Sequence, residues 1–139
     1  MKANINITCG TVELENEPSL HKGLDYSAVK AAGFPIVRED DMGTGWKYLL
    51  IGPCNIDGNR AHFSLAFAQG SLEKISFSFN QKGVPIEDLV HIHNQYLSDK
   101  LGPPTMHDKG ITRYVFPWGT IASSYDARGG SCSVIIAWA

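Results

Sequence analysis

The sequence lacks the features of several protein classes. No apolar run approaches the roughly 20 residues that a membrane-spanning helix needs, and the first residues, MKANINITCG, lack the apolar core of a secretory signal. The 12 Lys and Arg residues are scattered among 14 Asp and Glu residues, and the net charge is −2. Nucleic-acid binding usually needs a concentrated basic surface. We therefore expect a cytoplasmic protein with neither a membrane nor a nucleic acid as partner.

Recognisable catalytic and metal-binding motifs are also missing. The three cysteines, Cys9, Cys54 and Cys132, show no CxxC spacing, so zinc is not expected; three reduced thiols, one disulfide or a reactive thiol remain open. No P-loop, dinucleotide fingerprint or GxSxG elbow occurs in the sequence. His91 and His93 would point about 200° apart on a helix and cannot grip one ion. We predict no enzyme activity, no metal and no cofactor.

The sequence contains enough apolar residues to form the core of one domain. A chain of 139 residues that is 43% hydrophobic suits a single domain spanning 1–139. Alternation of apolar and polar residues predicts strands. These are a strand or hairpin within 4–14, then PIVRED, GWKYLLI, RAHFSLAF, LEKISFSF, ITRYVFP, GTIASSYD and SCSVIIAW, the last two joined through ARGG.

Two segments, GLDYSAVKAAGFP and HNQYLSDKLGPPT, each indicate a helix that ends at glycine shortly before proline. Asp25 is predicted to cap the first helix, and apolar periodicity places the second at 86–101. Gly33 and Gly102 lie as far apart as the prolines that follow them. We predict an α+β fold, an antiparallel sheet with two helices, arranged as two tandem helix-plus-meander units at 19–79 and 86–138. The alternative is that helices commonly end in this way.

The first unit resembles the unit shared by β-lactamase inhibitor proteins and the small outer-membrane-assembly lipoproteins of bacteria. The matching residues are Gly23, Val29, Gly33, Pro35, Trp46, Tyr48, Phe67, Gly70 and Ile75. Asp25 departs from the pattern, because these families commonly place threonine there, and the second unit matches only loosely. The resemblance implies a non-catalytic protein-binding scaffold, a class that includes immunity proteins. It assigns no individual binding residue.

An acidic run, EDDMGTG, is the first candidate for a partner-binding surface. It places Asp40 and Asp41 beside a predicted turn, where they would form either an ordinary solvated hairpin tip or a probe for a basic groove on a partner.

The second candidate is a sheet face of small residues. On the strands whose large residues point to the core, the alternate positions are serine, alanine or threonine, including Ser76 and Ser124. Such a face would be either a docking platform or the seat of a helix. Trp118 and Tyr125 are predicted as aromatic anchors at the rim of the platform.

Together these patterns predict a non-catalytic protein-binding inhibitor of the immunity type, which blocks the active site of a partner toxin or enzyme. Two alternatives remain: an enzyme or small-ligand-binding protein whose site is dispersed in the sequence, and a structural assembly factor. The sequence does not indicate an oligomeric state.

Overall fold

The alternating segments form strands of one sheet in the computed structural model, which describes residues 2–15, 18–79, 83–108, 110–126 and 130–139. Two helices accompany the strands in these ranges: α1, Tyr26–Ala31, and α2, Ile86–Leu101. The strands are β1 Lys2–Asn6, β2 Thr11–Leu14, β3 Ile36–Asp41, β4 Trp46–Ile56, β5 Asn59–Ala68, β6 Ser71–Ser78, β7 Met106–Asp108, β8 Ile111–Phe116, β9 Gly119–Asp126 and β10 Ser131–Trp138.

The strand order across the sheet is β2-β1-β4-β5-β6-β10-β9-β8-β7, and β3 pairs with β4 outside this path. Strand β3 pairs with the first half of β4, whereas β1 pairs in parallel with its last residues, Asn55 and Ile56. The other pairings are antiparallel. The α+β fold with a mostly antiparallel sheet is therefore confirmed.

Each helix is followed by a four-stranded antiparallel meander, β3 to β6 after α1 and β7 to β10 after α2. The meanders meet where β6 pairs with β10, with Phe77 opposite Val134. The strand order of the two units is therefore symmetric about this boundary. Each half of the chain thus has one helix and one meander, although α1 has 6 residues and α2 has 16; that the units 19–79 and 86–138 are two copies of one unit stays a prediction. Within the described chain, neither helix is long and apolar enough to span a membrane.

Both helices pack against the same face of the sheet. Helix α2 buries Leu89, His93 and Leu97, and the ring of Tyr26 on α1 meets the ring of Phe67 at a centroid distance of 5.2 Å. The strands supply large apolar residues to this core, including Leu49, Ile51, Phe63, Leu65, Phe67, Ile75, Phe77, Ile121, Val134 and Ile136. We call the opposite face of strands β3 to β10 the open face.

The N-terminal hairpin of β1 and β2 is fastened to the second unit by two tryptophans. Trp118 Nε1 donates to the carbonyl of Ile7 at 2.8 Å, and Trp138 Nε1 donates to the carbonyl of Gly10 at 2.9 Å. Gly10 has φ +78, and the Trp118 ring occupies the space where its side chain would lie. Glycine is required there both by the backbone conformation and by this close approach.

Two strands differ from the sequence-based expectation. Strand β4 continues to Ile56 instead of ending at 51, with an irregularity of register between Ile51 and Cys54. Strand β7 was not predicted, and all three of its residues are exposed. Residues 127–129 of the predicted ARGG turn lie outside the described ranges.

Candidate functional site

On the central strands β5, β6, β9 and β10, the open face carries mainly small residues, together with His62, Lys74 and Ile135. Across β5, β6 and β10, Ser64, Ser76 and Ile135 stand side by side, and Ser133 of β10 stands opposite Ser124 of β9. Because both helices lie on the other face, these positions form a platform rather than the seat of a helix. Ser76 and Ser124, two of the predicted binding residues, therefore share one surface.

Two aromatic residues stand at the β4 side of this platform. Trp46 and Tyr48 are stacked, with centroids 6.4 Å apart and planes 20° apart. Lys74 Nζ lies 5.9 Å from the centroid of the Trp46 ring, and Ala66 stands between Tyr48 and Lys74 on the neighbouring strands. Tryptophan and tyrosine are enriched among the residues that dominate the binding energy of protein interfaces.

Exposed aliphatic residues border the same face. Val37 is 57% exposed on β3, and on the far side Met106 is 52%, Ile111 37% and Val115 52% exposed. These are four of the six large hydrophobic residues that are exposed in the described ranges. Met106, Ile111 and Val115 lie on the neighbouring strands β7 and β8, whereas Val37 is a single exposed residue on the opposite side of the sheet. Single exposed apolar residues are ordinary, and a contiguous group is the more informative feature.

A groove crosses the platform between β3 and β10. It has a volume of about 420 Å³, and its lining includes Val37, Leu50, His62, Ser64, Ser76 and Ser133. The groove therefore combines two aliphatic side chains with hydroxyl groups and one imidazole.

The acidic run does not concentrate charge as the sequence suggested. Asp40 lies on the open face opposite Tyr48, where Arg38 Nε donates to its carboxylate at 2.8 Å. Glu39 points to the other face and pairs with Lys30, which lowers the pKa of the Glu39 carboxyl. Asp41 ends β3 and accepts a hydrogen bond from the backbone N–H of Gly43 at 2.9 Å. The charges are therefore dispersed along a strand rather than gathered at a tip.

Trp118 and Tyr125 do not lie at the rim of the platform. Trp118 holds the N-terminal hairpin, and the Tyr125 hydroxyl reaches Glu87 on α2 at 3.4 Å. Tyr125 follows Ser124 on a strand, and neighbours on a strand point to opposite faces. The expectation that these two residues border the platform is therefore wrong in its geometry. Trp46 and Tyr48 occupy that position instead, and their alternation with the core residue Leu49 was the signal that could have identified them.

One Cys–His pair occurs in the described core, and its geometry is structural. His93 is fully buried, and its Nε2 accepts the backbone N–H of Phe79 at 3.0 Å. The proton of the neutral imidazole therefore lies on Nδ1, 3.2 Å from the Sγ of Cys132. Burial raises the pKa of the Cys132 thiol. A histidine that donates to a protonated thiol cannot activate it as a base.

The three cysteines carry free thiols, exposed at Cys9 and buried at Cys54 and Cys132. Among the residues described, no group of three or more His, Cys, Asp or Glu side chains is placed to hold a metal ion.

A second cavity, of about 550 Å³, lies between α2 and the turn that joins β4 to β5. At its edge Asp57 accepts hydrogen bonds from the Tyr96 hydroxyl at 2.6 Å and from Lys100 at 3.2 Å. Partial burial opposes ionisation of Asp57, but these two hydrogen bonds leave its pKa below the ordinary value. Burial and the Asp57 carboxylate both raise the pKa of Tyr96. The network fastens the helix to the turn.

Comparison with protein-family models, with curated proteins and with solved structures finds no match for this chain.

Proposed function

We propose that this chain is a non-catalytic protein-binding inhibitor of the immunity type, which covers the active site of a partner toxin or enzyme with the open face of its sheet. The observation that carries the proposal is the composition of that face. A platform made mainly of serine and alanine is bordered by Trp46, Tyr48 and exposed aliphatic residues, while both helices pack on the other side.

The small residues suit close approach by another protein. Serine and alanine lose little conformational entropy when a surface covers them. Trp46 and Tyr48 supply large contact area with few rotatable bonds. Inhibition then follows from steric exclusion, because a sheet seated over an active site leaves no path for the substrate.

The test places arginine at Ser76 and, separately, at Ser124. Both side chains are half-buried on the open face, so we expect each variant to fold and to lose at least about tenfold in affinity, since a buried unpaired charge is costly at an interface. Ser98→Arg on the exposed side of α2 is the matched control. The partner is first captured from native cells by the unmodified protein, and affinities are then measured by calorimetry.

If both platform variants fold and bind the partner as tightly as Ser98→Arg does, docking occurs on another surface and the proposal fails. Circular dichroism and thermal melting establish folding for each variant before binding is measured.

The cavity beside α2 supports a second candidate, a small-ligand-binding protein. Its lining combines the apolar residues Phe79 and Ile92 with the polar residues Asp57, Gln95 and Asp99, and ligand sites pair apolar surface with a few placed polar groups. Genomic context separates the candidates: an adjacent toxin gene favours the inhibitor, whereas a metabolic operon favours the ligand-binding protein.

A further inference from the structure

The groove on the open face is large enough to hold a side chain from the partner. Its volume of about 420 Å³ falls in the range of about 300–1,000 Å³ that is typical of small-molecule pockets. Docking platforms of small residues are otherwise low in relief, so a groove is the place where an anchoring side chain gains the most buried area.

The residues that line the groove indicate what polarity a bound side chain should have. Val37 and Leu50 offer aliphatic surface on one side, while Ser64, Ser76 and Ser133 offer hydroxyl groups. No side-chain hydrogen bond of these three serines occurs within the part of the chain that the structure describes, so their hydroxyls are available to form hydrogen bonds with a side chain that enters the groove. An entirely apolar occupant would remove the hydroxyls from water without replacing those bonds, which costs free energy.

Charge narrows the choice further. Neither acid nor base other than His62 lines the groove, and nearby on β3 Arg38 and Asp40 already pair with each other at 2.8 Å. A charged occupant would lose its hydration and find no counter-charge in the groove. The side chain that fits is therefore neutral, with an apolar body and one polar end.

We propose that the groove receives a tyrosine or tryptophan side chain from the partner protein, with its ring against Val37 and Leu50 and its hydroxyl or indole N–H toward the serines. Both side chains combine a large apolar ring with one hydrogen-bonding group. This inference rests on the proposed function, because it names the group by which the partner engages the open face.

Small analogues test the groove without the partner. The ¹⁵N-labelled protein is titrated with p-cresol, 3-methylindole, toluene and methylguanidinium, and backbone amide shifts are followed by NMR. We expect p-cresol and 3-methylindole to shift Leu50, Ser64 and Ser76 with millimolar affinity. Toluene lacks the polar end, so it should bind about three- to tenfold more weakly, and methylguanidinium should leave these signals unchanged.

Ser76→Leu fills the groove and should abolish the p-cresol shifts. Ser124→Leu makes the same substitution on the same face but outside the groove lining, and it should leave them intact. Equal responses of the two variants, equal binding of toluene and p-cresol, or shifts confined to the cavity beside α2 would each overturn the inference.

The proposed docking face and the proposed aromatic anchor can be disproved separately. If Ser76→Arg and Ser124→Arg abolish partner binding but p-cresol does not enter the groove, the docking face stands and the aromatic anchor is wrong. If p-cresol fills the groove while both arginine variants still bind the partner, the groove is a ligand site unrelated to docking and the proposed function is wrong.

Discussion

At the scale of single residues, His93 places a titratable imidazole in the core. The imidazole is fully buried, accepts the N–H of Phe79 through Nε2 and faces Cys132 through Nδ1. Burial lowers the pKa of His93 from 6.5 to about 4. Protonation would place a second N–H against the N–H of Phe79, so the folded protein holds this histidine in its neutral form.

This arrangement predicts a loss of stability in mild acid. Below pH 6.5 the unfolded chain takes up a proton on this histidine and the folded chain does not, so the free energy of unfolding falls as the pH approaches 4. A difference of this size in pKa corresponds to about 3 kcal/mol between pH 7 and pH 4. Urea unfolding at a series of pH values measures the effect.

His93→Gln tests this assignment, because the amide oxygen of glutamine can accept the hydrogen bond from the Phe79 N–H and the amide does not titrate. We expect its stability to depend much less on pH between 6.5 and 4. Because the pKa of Asp57 is depressed in the folded state, its carboxylate also stabilises the fold. That stabilisation is complete above the unfolded pKa of about 4 and is lost as the pH falls further, so it affects stability mainly below the range from pH 6.5 to 4. An identical acid response in His93→Gln and the parent would contradict the assignment.

At the scale of helices and strands, both helices end beside a glycine with positive φ. Gly33 has φ +82 and Gly102 has φ +83, and a side chain at either position would meet open space. Gly102 combines this φ with ψ −152, a region that is almost exclusive to glycine. The cost of a side chain at these positions therefore comes from the backbone alone.

Gly33→Ala should lower the free energy of unfolding by about 1 kcal/mol, and Gly102→Ala should lower it by more, on the order of 1–3 kcal/mol. Thermal and urea unfolding measure both, with Ser98→Ala on the exposed side of α2 as a control that we expect to be neutral. Equal stability of the parent and Gly102→Ala would show that the second helix can end without its glycine.

Sequence periodicity predicted elements well where one face is buried and the other is not. The bounds of α2 follow from its apolar arc and from Gly102, and the β5–β6 hairpin follows from its alternating phenylalanines. Strand β7 gave no such signal because all of its residues are exposed, and the extension of β4 was hidden because Gly52 and Pro53 usually end a strand.

At the scale of the whole molecule, the sequence predicted pairing within hairpins but not pairing between strands that are far apart in the chain. Alternation defines the two faces of each strand but not its neighbours, so the junction of β6 with β10 and the parallel pairing of β1 with β4 are known only from the structure. The same limit affected one predicted aromatic residue: Ser76 and Ser124 share the open face, but Trp118 holds a hairpin that lies far from it in sequence.

The contribution of the contact between that hairpin and the second unit to stability can be measured by replacing each of two glycines with alanine. Gly10 and Gly58 both have positive φ, at +78 and +86, but only at Gly10 does another residue, Trp118, occupy the space of a side chain. Gly58→Ala should cost about 1 kcal/mol. Gly10→Ala should cost about 1–3 kcal/mol more, because overpacking adds to the backbone strain. Equal losses in chemical unfolding would contradict the tight packing of the hairpin on Trp118.

Strand β10 is the last strand along the chain, yet it lies between β6 and β9 near the middle of the sheet. During translation one edge of β6 therefore stays unpaired until the ribosome has added about sixty more residues. At about 5–20 residues per second, this takes several seconds. At that stage the unpaired backbone groups of β6, beside the apolar residues Ile75 and Phe77, can pair with another nascent chain, and the charged residues Glu73 and Lys74 oppose such pairing. The order of synthesis thus leaves the centre of the finished sheet exposed as an edge while the protein is being made.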